Sequence, residues 1–329
     1  MRIPCELPRD EVESYKLLYE LLVFPSLEIT SMAQLVSSPF AVEKFNSSLH
    51  SEGMRSCDDI PADTTIFREL PLMKMQTVPN KQCCLCCSHC LRFIGSYSLQ
   101  FQMLSKQTDR QQILSQLMSD TFKLPLSTPH HCFSDIFSCS NHCGEMYCSK
   151  SCRDNHWNSC HRLLCTGDIP EDEADSHTLI RFKVHAIATN EIFLLAADIF
   201  ANLCIASESS EEAMRANIDV YNNYVRKRWE DCVTASSSQE LIELKRTLAR
   251  LVKESWALLN SALSLEQRGL DRILNEEFLS RTIGMFEQNN VGIRLKNPVL
   301  EYVEGLTIES EDLSYVLDMI KEIVNAIDG

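Results

Sequence analysis

Four ligand pairs stand out as residues that could do chemistry. Cys87 and Cys90 are spaced Cys-x2-Cys. Cys139 and Cys143, and again Cys148 and Cys152, are spaced Cys-x3-Cys. His161 and Cys165 are spaced His-x3-Cys. Zinc takes four tetrahedral Cys or His donors, commonly supplied as such pairs, so seven thiols and one imidazole match two closed sites. Once the first member of a close pair is fixed, placing the second closes only a short loop. Twelve of the 16 cysteines lie between Cys83 and Cys165, so this stretch dominates the chemistry of the chain. Cys83, Cys84 and Cys86 compete with Cys87 as the first ligand, and Cys84 itself stands Cys-x2-Cys before Cys87. His130 and His131 are additional candidates, read as exposed polar residues.

The bulk properties bound the function. The 329 residues suit two domains, or one large domain with insertions, and 44% hydrophobic residues can fill a core. The formal net charge of -15 argues against direct nucleic-acid binding, although Arg226-Lys227-Arg228-Trp229 is a local basic spot. No apolar run reaches the roughly 20 residues of a bilayer span. MRIPCELPRDEVES has no apolar signal core, so a reducing compartment is expected, where dense cysteines hold metal rather than disulfides.

The elements that must position the pairs follow from pattern. Residues 1–49 read as a helical segment broken at Pro25 and Pro39. Residues 50–82 read as β, with strands near 54–57 and 64–68 around a turn at 60–63. Residues 83–167 form the cysteine unit, with a Gln- and Ser-rich insertion at 91–138 and a short helix expected after a Thr108–Gln111 capping box. Residues 168–329 read as helices over 178–206, 210–233, 238–262, 265–287 and 311–327. Capping boxes are expected at Ser209–Glu212 and Ser237–Glu240. The fold class expected is α+β, mostly helical.

YCSKSCRDNHWNSCHRLLC resembles the second half of a MYND zinc finger. That resemblance implies interleaved pairing: Cys87, Cys90, Cys148 and Cys152 on one zinc, Cys139, Cys143, His161 and Cys165 on the other, with Trp157 packed between them. The register to LRFIGS favours Cys87 and Cys90 as the first pair, with Cys84 in reserve. This sequence departs from the family in the Cys139–Cys143 spacing and in the length of the insertion.

A finger preceded by β and followed by helix is similar to the MYND–SET protein-lysine methyltransferases, in particular the plant-type, Trithorax-related members. SEGMRSCDDIPADTTIFRELPL, FKVHAIATNEIFLLAADIF, TIGMFEQNNVGI, LRFIGS and LLCTG carry the resemblance over roughly residues 50–329. It implies a partial SET β segment, an inserted cross-braced two-zinc finger and a helical SET insert. It also implies an S-adenosylmethionine site at Gly53 and Met54 with Asn289 or Asn290. Ser51 replaces the first glycine of the Gly-x-Gly turn, and Asn289-Asn290 read equally well as a helix C-cap.

The family's Asn-His-x-Cys-x-Pro-Asn segment is not found in the 329 residues; Asn141-His142-Cys143 continues with Gly144 instead. No catalytic residue is therefore assigned. The chain is expected to be a truncated histone or protein lysine methyltransferase, or a non-catalytic zinc-dependent adaptor. Protein partners are expected, either histones or proline-containing peptides, in the nucleus and/or cytoplasm. An incomplete SET sheet with an unpaired edge predicts poor stability or aggregation of residues 50–82.

Overall fold

The computed structural model describes residues 27–37, 42–47, 51–66, 68–96, 99–100, 103 and 132–295. The short helix expected near Thr108, His130, His131 and the helix expected over 311–327 lie outside them. The described chain is mostly helical with small antiparallel sheets. Around the ligand pairs, α1 (Val78–Cys83) precedes two short antiparallel pairs, β5 (Gly95–Ser96) with β6 (Cys132–Ser134) and β7 (Phe137–Ser138) with β8 (Met146–Tyr147).

Part of the segment read as helical is strand. β1 (Leu27–Ser37) is the centre of a three-stranded sheet, between β4 (Arg68–Gln76) and β9 (Val291–Leu295). β2 (Val42–Ser47) pairs with β3 (Ser51–Ser56). Helical propensity in MAQLV is overridden because β1 finds ladder partners on both sides, Ile29 opposite Gln76 and Ile293. The expected hairpin between 54–57 and 64–68 is likewise replaced: β3 pairs backward with β2, and β4 starts at Arg68 and pairs with β1. Leu27 faces Leu295 across 268 positions of chain, so this sheet ties the two ends of the described structure together.

The helical part packs around one apolar helix. The stretch expected as a single helix over 178–206 is broken at Asn190 into α3 (Thr178–Thr189) and α4 (Ile192–Ser209). By length and composition alone, α4 could cross a membrane. Here it is the centre of the core, with Phe193, Leu195, Ile199, Phe200 and Leu203 all fully buried. α5 (Glu211–Asn222) starts one residue later than expected: Ser210, not Ser209, is the N-cap and accepts from the Ala213 amide at 3.0 Å.

α6 (Ser238–Leu263) opens with the expected capping box, Ser237 Oγ accepting from Glu240 N and Glu240 accepting from Ser237 N, each at 3.2 Å. α7 (Glu276–Asn289) begins well after residue 265. Asn275 caps it, and turns occupy the interval because Ser264 takes a left-handed φ of 54° that ends α6.

Candidate metal centre

Each ligand pair is set by a local backbone device. In the first, Leu91 adopts φ 63° so that its amide donates to Cys87 O at 2.9 Å, while Cys87 N donates to Arg92 O at 2.8 Å. This knuckle points the Cys87 and Cys90 sulfurs the same way. The second pair repeats the device: His142 takes φ 57°, its amide donates to Cys139 O at 3.0 Å, and Cys139 N donates to Glu145 O at 2.9 Å. Gly144 follows at φ 93°, a conformation glycine adopts without steric cost.

The third and fourth pairs come from one helical stretch. Ser149 caps α2 (Lys150–His156), accepting from Cys152 N at 3.1 Å, and so brings Cys148 and Cys152 together. A π-helical turn, Trp157–His161, continues α2. Its wider winding shifts the register of the next turn, a feature that recurs at functional sites. Cys165 follows in extended conformation where the helix ends at Leu164.

The result is two quartets. In Cys87, Cys90, Cys148 and Cys152, and in Cys139, Cys143, His161 and Cys165, the candidate donor atoms all lie within 4.8 Å of one another. Sulfur–sulfur separations are 3.6 Å for Cys90–Cys148, 3.5 Å for Cys148–Cys152 and 3.7 Å for Cys139–Cys165. His161 Nε2 lies 3.4 Å from Cys139 Sγ and 3.3 Å from Cys143 Sγ.

The edge of a tetrahedral Zn–S4 site is about 3.8 Å, and a sulfur–nitrogen edge about 3.6 Å, from bonds of ~2.3 and ~2.05 Å. The quartets therefore have the donors and dimensions of sites that could hold metal ions, zinc among them. Four protein donors leave no open position, which is the arrangement of a structural site. Burial first, and then neighbouring sulfurs, push the Cys148 thiol up to about 12. A divalent cation in the middle reverses that balance and favours the thiolate.

The chain crosses between the quartets. The first and third pairs share one site, the second and fourth the other. Cys84 and Cys86 are buried in a separate cluster with Leu91 and take no part. Tyr147 is fully buried in an apolar cluster that includes donors of both quartets, and Trp157 packs on that cluster, edge-on to His161 with ring centroids 5.9 Å apart.

The unit docks on the helices through polar links. Asn202 Nδ2 donates to Ser159 O at 3.1 Å, and Lys183 Nζ donates to Leu164 O at 2.8 Å. Val78 N donates to Glu191 at 2.7 Å, and Arg162 pairs with Glu208.

The four residues expected near S-adenosylmethionine come from two different elements. Gly53 and Met54 lie on β3, opposite Phe45 and Lys44 of β2. Asn289 and Asn290 end α7, next to β9 of the other sheet. Asn289 Nδ2 donates to Met285 O at 2.7 Å and Val225 O at 3.0 Å, and Asn290 is the C-cap. Asn290 Oδ1 is buried without a hydrogen-bond partner among the described residues.

Two residues of the centre carried no sequence signal. His156 and Asp198 lie beside the quartets but fall outside any ligand spacing.

Comparison with known proteins places this geometry in context. The chain is 26% identical over 317 residues to the histone-lysine N-methyltransferase ATXR2 of Arabidopsis thaliana, an alignment covering 79% of this chain and 66% of the relative. This chain is related to a methyltransferase. It spans slightly less than two thirds of that relative's length. No family model matches the chain, and no solved structure matches it.

Proposed function

We propose that the chain is a MYND–SET protein of the lysine methyltransferase lineage, in which two zinc ions staple the region 87–165 to the flanking helical and β parts. The observation that carries this reading is the similarity to a histone-lysine methyltransferase over 79% of the chain. The two interleaved quartets, with Trp157 packed on the cluster that holds their cysteines, support the MYND part.

In this reading Cys87, Cys90, Cys148 and Cys152 hold one zinc and Cys139, Cys143, His161 and Cys165 the other. Each ion closes a loop whose ends lie far apart in sequence, which is where a crosslink removes most freedom from the unfolded chain. Methyl transfer from S-adenosylmethionine to histone or other protein lysine is the activity of the lineage. Gly53, Met54, Asn289 and Asn290 are the proposed donor-site residues, and nucleus and/or cytoplasm the proposed location.

The test is incubation of the full, metal-loaded chain with isotope-labelled S-adenosylmethionine and histones. Donor binding with label in histone is expected of an enzyme; neither binding nor transfer removes the enzymatic reading for this chain.

A second reading is a zinc-dependent adaptor that binds proteins, including proline-containing peptides. It is favoured because both quartets are assembled entirely from residues 87–165. A pull-down of partners that is lost on Cys148→Ala supports it, and unchanged capture by that variant rejects it.

A further inference from the structure

Between the metal unit, β4 and the helices lie two adjoining cavities of about 260 and 340 Å³. They share Lys74, Ser88, His156 and Asp198 in their walls, so they form neighbouring parts of one partly open space. Volumes of this order are those of small-molecule sites.

The larger cavity has an unusual polar wall. Asp198 and Asn202 stand one turn apart on α4, and Asn217 and Tyr221 one turn apart on α5. These two i, i+4 pairs converge on the same space. Asn202 commits its amide nitrogen to Ser159 O, and Asn217 commits its own to Ala213 O, both at 3.1 Å. Each asparagine keeps its oxygen, an acceptor, together with its second amide proton. Asp198 adds a half-buried carboxylate; among the described residues its hydrogen-bond contact is the weak donor of the Cys160 thiol, and the charge of Lys81 acts on it from the neighbouring cavity. One side of the cavity is thus rich in acceptors and carries a negative charge.

The opposite charge is also present, on a lysine with no ion pair among the described residues. Lys81 is paired with Glu145 at 3.1 Å, and Lys183 donates to Leu164 O. Lys74 has neither role, and among the described residues no ion pair joins it to Asp198. Its field acts instead on His89, at the side of the cavity formed by the metal unit. Leu72 and Met73 of β4 give the remaining wall an apolar surface. A half-buried carboxylate and a half-buried ammonium on the walls of one cavity, with no ion pair between them, suit a ligand that carries both charges.

We infer that this cavity binds a free amino acid, its ammonium group received by Asp198, Asn202 and Asn217 and its carboxylate by Lys74. The two asparagine oxygens and the aspartate offer three acceptors to the three protons of an ammonium. The apolar wall accommodates an aliphatic or thioether side chain. This site does not rest on the methyltransferase reading.

The test is a calorimetric and thermal-shift titration of the full, metal-loaded chain with the proteinogenic L-amino acids, each binder then compared with its N-acetyl and carboxamide derivatives. At least one amino acid is expected to bind saturably, with each blocked derivative at least about tenfold weaker, the loss of one charged hydrogen bond. Asp198→Asn and Lys74→Met should each weaken binding to a similar degree while keeping two metal ions per chain and wild-type circular dichroism. Using both variants keeps the test decisive should one fail to fold. Absence of any binder, indifference to N-acetylation, or wild-type affinity in either folded variant would overturn the inference.

Discussion

The His156 imidazole lies stacked on that of His161, ring centroids 4.9 Å apart and planes inclined by 15°. His161 is a donor of the second quartet, so this stack fixes the orientation of a metal ligand. His156 is held in turn by Tyr147, whose hydroxyl lies 3.0 Å from His156 Nδ1. Burial, then His161, holds the His156 pKa down at about 3, while burial raises that of Tyr147. At neutral pH the phenol therefore donates and the neutral imidazole accepts.

Supports of this kind typically contribute 10–100-fold to metal affinity, so His156→Ala should weaken the second site by about tenfold and leave the first unchanged. Chelator competition, read as two phases of metal release, checks this. Equal acceleration of both phases would contradict a local role for His156.

Asp198 gives a pH signature. Burial raises its carboxyl from 3.8 to about 6, against the opposing influence of Lys81 and the Cys160 thiol. Between roughly pH 4 and 6 the folded chain holds a proton that the unfolded chain has released. The contribution of Asp198 to stability therefore falls as pH rises through that window and is unfavourable above it. Asp198→Asn should stabilise the chain by on the order of 2 kcal/mol at pH 7.5, with the gain vanishing below about pH 4. Urea denaturation midpoints across this range measure it. A gain independent of pH would show that the charge of Asp198 is not the cause.

Gly284 is buried in α7, and a Cβ there would sit 2.0 Å from Lys227 O, a backbone atom that cannot rotate away. Glycine to alanine in a helix interior ordinarily stabilises by about 1 kcal/mol. Here the sign reverses: Gly284→Ala should cost at least about 3 kcal/mol, because α7 or the segment before Trp229 must shift. Thermal denaturation reads the loss. A variant as stable as wild type would mean that α7 and the Lys227 segment are not packed this closely.

Much of the metal centre was legible in the sequence because ligand pairing is local. Cys-x2-Cys, two Cys-x3-Cys and His-x3-Cys specify four short loops, and Ser237–Glu240 specifies a helix start in the same local way. What could not be read depends on distant partners. β1 looks helical until β4 and β9 flank it, and β9 is a short run, VGIRL, with no signal pointing to Leu27. The break at Asn190 is marked only by Thr189-Asn190-Glu191 between two apolar runs, with no proline or glycine to stop the helix. His156 stands five residues before His161, a spacing with no ligand meaning, and acts because a π-helical turn brings the two rings together. Each strand of the expected SET entry has one partner, β4 with β1 and β3 with β2, and among the described residues β4 remains an edge of its sheet.

The interleaving of the quartets is the claim on which the rest depends, and a paired substitution tests it. The full chain should bind two metal ions. Replacing Cys90 and Cys148 together by serine removes two donors from the same quartet. One ion should then remain, in a Cys3His site recognisable from the spectrum of its cobalt(II) form. Were the pairs used in sequence order instead, the same double variant would damage both sites at once. Loss of both ions would contradict the account; retention of one, with the Cys3His spectrum, is what it predicts.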